Sequence, residues 1–394
     1  MWLVWVMICL IQHAVTSEKS INGRYLNPEH LMNISEIIQY WGYPSEEYEI
    51  LTSDGYYLKV NRIPNGINSP EKTEPKPVVI LVSGVVTEGR SWLLNLPSNS
   101  LGFVLADAGY DVWLLNNRGT SWSRRHQNLT IDQEEFWNFS FHEMGIYDIP
   151  AAINFILNKT KQDSLYYIGH SQGASIGLIT FSAFPQLAQK TKLLMCLAPP
   201  STLEDFKGMI KYILQLPYKI KRYLWGSKDF TFLSNKEKNI IANLCSYPGL
   251  NNICIQILFS VTGFNENNIN VSRADLFFGI FPDVTSMKTI FHWTQIFESN
   301  EFKHFDYGNQ NKAIYNMTKP PFYKIEDVTV PTAIWNGGND FVVNPENINH
   351  LIPRLTNLVF HKYIPRWQHT DFIWGLDIPK QLHKDIFHLM QNYK

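Results

Sequence analysis

"YIGHSQGASIG", residues 167–177, sets Ser171 between Gly169 and Gly173 at the end of an apolar run. The residues before it, "LYYI" at 165–168, are strand-prone, and those after it, "QGASIGLITF" at 172–181, suit a helix. A strand that turns this sharply into a helix brings the flanking positions against the serine, where only glycine fits. The turn presents the hydroxyl at a helix N-terminus, whose N–H groups and dipole favour a developing oxyanion. This context reads Ser171 as an activated nucleophile; the plainer alternative is a surface hydroxyl at a glycine-rich junction.

Working outward, eight short runs read as strands: "YEILTS", "YYLKVNRI", "PVVILVSG", "YDVWLLNN", "LYYIG", "LLMCLAPP", "VPTAIWNGG" and "LVFHKYIP". From the third onward they are continuously apolar, as strands covered on both faces of a parallel sheet are. Helical patterns alternate with them at 95–109, 140–160 and 172–190, which predicts a three-layer α/β sheet. The alternation stops after Pro200 and resumes at Val330. Within the gap, "STLEDFKGMIKYILQL" opens on Ser201 and Glu204 in capping-box spacing. The same stretch predicts a helix with Phe206, Met209, Ile210, Ile213 and Leu214 on one face, broken by Pro217. "YKIKRYLWGSK" then mixes bulky apolar and basic residues, as an ordinary packed helix or a movable cap touching lipid would. The expected organisation is a leader at 1–17, a core at 18–201, an inserted, largely helical cap at 202–329 and the rest of the core at 330–394.

A serine hydroxyl needs a base and an orienting carboxylate, which in this fold class follow in the order Asp or Glu, then His. Asp340 ends the turn "NGGND" after a strand, at the C-terminal edge of the sheet, whereas Asp327 precedes that strand. His369 follows the next strand and the "IPRWQ" turn; His361 lies within that strand, and His383 and His388 lie in a terminal helix. Ser171, Asp340 and His369 therefore form the expected triad, with Asp371 as a cap or loop anchor.

The amino terminus, "MWLVWVMICLIQHAVTSEK", has an apolar stretch from Trp2 to Ile11 before small and polar residues, the pattern of a cleaved signal peptide, with a retained anchor as the alternative. No later segment has the roughly 18 uninterrupted apolar residues of a membrane span. Six N-x-[ST] sequons, at Asn33, Asn128, Asn138, Asn158, Asn270 and Asn316, fit a glycoprotein of the secretory pathway. Cys245 and Cys254 are close enough in sequence to close a small loop, or else are two buried thiols, and Cys196 reads as core. Neither CxxC nor HExxH occurs, so no metal is expected, and nothing points to a cofactor. With 34 Lys and Arg scattered against 35 Asp and Glu, no electrostatic case for nucleic acid exists.

Several blocks resemble the acid lipase family of gastric and lysosomal lipases: "MNISEIIQYWGYPSEEYEI", "NLPSNSLGFVLADAGYDVWLLNNRG", "EFWNFSFHEMGIYDIPAAINFI", "GHSQG", "HWTQ", "AIWNGGND" and "HTDFIWGLD". The resemblance runs over essentially the whole mature chain. It implies an α/β-hydrolase fold with a mostly parallel central sheet and a cap between the sixth and seventh strands. It also implies hydrolysis of triglycerides or sterol esters at a lipid–water interface, in a secreted or lysosomal setting. Carried onto matching positions, it makes Ser171 the nucleophile, Asp340 the orienting acid and His369 the base. It further implies a Cys245–Cys254 disulfide and an oxyanion hole formed by the backbone N–H groups of Gln172 and Val85. One block departs: where relatives carry H-G-L, this chain has Ser83, Gly84 and Val85. Loss of that imidazole opens a second expectation, a lipid-binding glycoprotein of the same fold with weak or no turnover.

Overall fold

The computed structural model describes residues 26–68 and 75–394; the expected leader at 1–17 lies outside them. Eight strands, here β1 to β8, form the main sheet: Glu46–Leu51, Tyr56–Ile63, Val78–Val82, Asp111–Leu115, Leu165–His170, Thr191–Leu197, Thr332–Gly337 and Leu358–Ile364. Their order across the sheet is β1-β2-β4-β3-β5-β6-β7-β8. β2 runs antiparallel to β1 and β4, and the rest are parallel. A two-residue strand, Arg125–His126, pairs antiparallel with the start of β2 at Tyr56 and Tyr57 and is too short to carry a sequence signal.

Every residue of β3, β4 and β5 is buried, which explains their continuous apolar runs: both sheet faces are covered. Burying each large aliphatic side chain there stabilises the fold by about 1.5–3 kcal/mol. The chain leaves β3 toward β4 on one side and later enters β5 on the other. The strand order therefore reverses between β3 and β5, and their C-terminal ends open a crevice of the kind that binds ligands in open α/β sheets.

Between Leu197 and Thr332 the chain adds no strand to this sheet. The inserted segment is built from the helices Ile210–Leu214, Tyr218–Trp225, Asn235–Cys245, Leu250–Thr262, Ala274–Ile280 and Met287–Ser299. Asp229–Phe230 pairs with Thr285–Ser286. Cys245, last in its helix, is joined to Cys254 of the next helix by a disulfide, while Cys196 is a buried free thiol whose burial pushes its pKa up.

The helix expected from Ser201 is corrected here. Asp205 and Gly208 take positive φ, 50° and 76°, so the chain turns twice and a helix begins only at Ile210. Glu204 does not close a capping box. Its carbonyl accepts hydrogen bonds from Asn344 and Asn347, and its carboxylate accepts one from Asn300. The capping box of this region is instead Ser234 with Glu237, at the start of Asn235–Cys245. Pro217 does stand at the break, as N-cap of Tyr218–Trp225.

Candidate active site

Ser171 stands between β5 and the helix Gln172–Ala183 with φ 52° and ψ −124°, a conformation that costs of order 1–3 kcal/mol for a residue with a side chain. Its surroundings enforce that geometry. The Ser171 N–H donates to the Leu197 carbonyl at the end of β6 (2.8 Å). A Cβ on Gly169 would lie 2.5 Å from the Ala174 nitrogen, and one on Gly173 would lie 2.2 Å from the Val82 oxygen of β3. Both glycines are required by close approach of backbone to backbone.

The two residues expected downstream converge on this serine. Asp340 follows β7 and His369 follows β8, both at the C-terminal edge. His369 Nε2 lies 2.8 Å from Ser171 Oγ, and His369 Nδ1 lies 2.8 Å from Asp340 Oδ2. A carboxylate only accepts, so Nδ1 carries the ring proton and Nε2 is left to accept from the serine hydroxyl. The other Asp340 oxygen accepts the N–H groups of Val342 and Val343, each at 2.8 Å, which fixes the carboxylate. Ser171 is 3% exposed, Asp340 2% and His369 7%, so the relay lies under cover.

The alternatives fall elsewhere. Asp327 lies in the turn before β7, at the opposite edge. His361 is within β8, bonded to Asn336, and His383 and His388 lie in the C-terminal helices. Asp371 is buried and anchors the histidine loop, accepting from the Gln368 N–H (2.7 Å) and from Asn265 Nδ2 (2.8 Å); burial raises its pKa to about 7.

The Ser83–Glu88 loop that follows β3 runs beside the serine: a Cβ on Gly84 would sit 3.0 Å from Ser171 Cβ. Ser83 is buried, donates from Oγ to the Glu88 carbonyl (3.1 Å) and shares a hydrogen bond with Ser91 Oγ (3.2 Å). Thr87 Oγ1 donates back to the Gly84 carbonyl (3.0 Å). Among the described residues, the N–H groups of Val85 and Gln172 have no acceptor within the protein. The chemistry this arrangement allows is nucleophilic attack by an oxygen whose proton passes to a neighbouring imidazole, with two backbone donors free for an oxyanion.

Several supporting residues lie beyond what single-sequence reasoning found. His170 Nε2 donates to the His369 carbonyl (3.0 Å), and burial followed by the neighbouring His369 lowers its pKa to about 3, so it adds no charge beside the base. The Thr262 carbonyl, in the inserted segment, accepts from the His369 N–H (3.1 Å), and Trp293 Nε1 donates to Gln172 Oε1 (2.8 Å). Trp293 lies in the "HWTQ" block; Thr262 carries no sequence signal.

Residues 34–96 match the description "partial alpha/beta-hydrolase lipase region", and residues 77–216 match "alpha/beta hydrolase fold". Human lipase member M is 47% identical over 99% of this chain and 93% of its own. Human lysosomal acid lipase/cholesteryl ester hydrolase is 44% identical over 99% and 98%. Human gastric triacylglycerol lipase is 43% identical over the full length of both chains. This chain belongs to the acid lipase family. The family is one of carboxylic ester hydrolases, and the α/β-hydrolase fold recurs at far lower identity. The α/β hydrolase GrgF from Penicillium sp. sh18 superposes with a TM-score of 0.54 at 14% identity, over 89% of this chain and 99% of that one. In this acid lipase family member, no helix among the described residues is long and apolar enough to cross a membrane.

Proposed function

We propose that this protein enters the secretory pathway and, secreted or in the lysosomal lumen, hydrolyses carboxylic esters of apolar acyl chains, triglycerides or sterol esters. The observation that carries the proposal is the Ser171–His369–Asp340 relay, two 2.8 Å contacts at the C-terminal edge of the sheet. Ser171 Oγ attacks the ester carbonyl carbon while its proton passes to His369 Nε2, and Asp340 stabilises the imidazolium. The N–H groups of Gln172 and Val85 receive the oxyanion. Its collapse breaks the ester bond, and the leaving alkoxide takes the proton from His369. A water molecule, deprotonated by the same imidazole, then splits the acyl-enzyme and releases the acid.

Residues 18–201 and 330–394 act as the catalytic core and 202–329 as its cap. The helix Tyr218–Trp225 supports a lipid–water interface as partner. Tyr218, Tyr223 and Leu224 are exposed there beside the exposed cations Lys219 and Arg222, and Tyr212 of the preceding helix Ile210–Leu214 is exposed as well. None of the six sequon asparagines is buried, which supports glycosylation at Asn33, Asn128, Asn138, Asn158, Asn270 and Asn316.

The experiment is hydrolysis of emulsified triolein, cholesteryl oleate and soluble p-nitrophenyl butyrate by the secreted protein, with Ser171→Ala as control. Release of fatty acid from either lipid, lost in the control, supports the reading. Binding of both lipids with no turnover of any ester favours the alternative that the Ser83 substitution raises, a lipid-binding glycoprotein.

A further inference from the structure

Val86 is a β-branched residue at φ 50°, in the left-handed region such side chains avoid at a cost of roughly 1–2 kcal/mol. Something must hold it there. Its carbonyl accepts the N–H of Asp283, in the inserted segment, at 2.7 Å. Asp283 is itself fixed: its carboxylate accepts from the Ser121 N–H (3.0 Å) and hydroxyl and faces Lys238 Nζ at 3.8 Å. The Val86 side chain packs against a small apolar cluster separate from the main core. Phe230, Met287 and Phe291 form that cluster, with Trp225, Ile290 and Phe305 around them. All six belong to the inserted segment; Val86 reaches it from the core. The side chain of its neighbour Val85 packs the other way, against the main core.

We propose that Val86 is a positioning residue, the staple by which the inserted segment holds the N–H of Val85 toward Ser171. With Thr87 tied back to the Gly84 carbonyl and Val86 pinned at both its carbonyl and its side chain, the loop has one arrangement. If the cluster loses its grip, Val86 relaxes to negative φ, and the chain upstream of it, including the Gly84–Val85 peptide, turns away from the serine. The device acts on the oxyanion and so on the transition state, not on the bound ester. The inference rests on the ester-hydrolase reading above.

The test uses the secreted, full-length protein on p-nitrophenyl butyrate, with the active fraction counted by phosphonate titration of Ser171. A boronic acid serves as mimic of the tetrahedral intermediate. Val86→Ala lowers kcat per titrated site by about 10- to 100-fold and leaves KM within about twofold. Boronate affinity falls in step with kcat. Phe230→Ala reproduces that split from the far side of the cluster, and Val86→Ile, which keeps the branch, recovers most of the loss. Unchanged kcat per titrated site in Val86→Ala, or lowered kcat with unchanged boronate affinity, overturns the proposal. Where Val86→Ala does not fold, Phe230→Ala decides on the same criteria. Wild-type protein that neither turns over the ester nor reacts with the phosphonate overturns the hydrolase reading and this inference together. Wild-type turnover matched by both alanine variants overturns this inference alone.

Discussion

At the scale of single residues, the proposed triad rests on chemistry that each member cannot perform alone. Ser171→Ala removes the attacking oxygen, and hydrolysis falls by about 10⁶-fold, with the far-UV circular dichroism unchanged because the residue is a turn apex. Asp340→Asn loses the carboxylate that fixes the His369 tautomer and costs about 10⁴-fold in kcat. Combining either change with His369→Ala adds little, since the three act as one unit. Steady-state kinetics on a soluble ester check all three; additive losses would show that the residues act separately. Ser83 is the departure from the family block, and its hydroxyl already joins Glu88 and Ser91 in a buried site. Ser83→His is therefore expected not to raise kcat, and a larger imidazole in that space lowers thermal stability. A rise in kcat on p-nitrophenyl butyrate would show that the serine leaves the loop poorly held. The convergence of Ser171, Asp340 and His369 was legible in sequence because each follows a strand of the sheet at its C-terminal edge. His170 and the Thr262 carbonyl were not legible, since their contacts with His369 span 199 and 107 positions and arise only once the sheet and the inserted segment are folded together.

At the scale of elements, the central strands were read well, but β8, expected to be covered on both faces, is an edge strand with His361 and Tyr363 exposed, and the inserted segment was read less well. β3 to β5 are buried on both faces and say so in every residue, whereas 201–216 has the spacing of a helix but is bent by tertiary contacts at Asp205 and Gly208. Sequence period cannot report a carbonyl captured by Asn344 from another part of the chain. The helix Tyr218–Trp225 has a buried polar pin besides its packing through Tyr218 and Trp225. Lys221, buried, donates from Nζ to the Leu214 carbonyl (2.7 Å) and to Thr294 Oγ1 (2.9 Å), and burial lowers its pKa to about 8. Lys221→Ala leaves that carbonyl without its donor and frees the helix, so limited proteolysis between 215 and 228 quickens by about tenfold while the core resists. Equal cleavage rates in both proteins would assign the hold to Tyr218 packing on Phe291 instead.

At the scale of the whole molecule, the core and the inserted segment meet along a seam that responds to acid. His142 of the core and His304 of the insertion lie with ring centroids 4.4 Å apart, and His142 Nδ1 contacts Tyr323 Oη at 3.1 Å. Burial lowers both pKa values, that of His304 to about 4; Glu143 opposes the shift in each case, while Lys288 reinforces it at His142. Unfolded chain binds protons here more readily than folded chain. The seam's contribution is therefore complete above pH 6.5 and fades as the pH falls toward 4. Hydrogen exchange at 141–147 and 302–315, corrected for intrinsic rate, is expected to be faster at about pH 4.5 than at pH 7. Protection that is equal at the two values would show that the carboxylate cancels the effect.

The covered serine has a kinetic consequence. If ester reaches Ser171, which is 3% exposed, only in molecules whose inserted segment has opened, every apparent affinity is the intrinsic one divided by the open fraction. An opening that costs about 2.7 kcal/mol leaves roughly one molecule in a hundred competent and weakens apparent binding of a dissolved ester about 100-fold. A surface that holds the open form removes this tax without any change at Ser171. On that scheme turnover follows the area of interface offered rather than the concentration of substrate dissolved, and equal rates on coarse and fine emulsions of the same mass of triolein would overturn it.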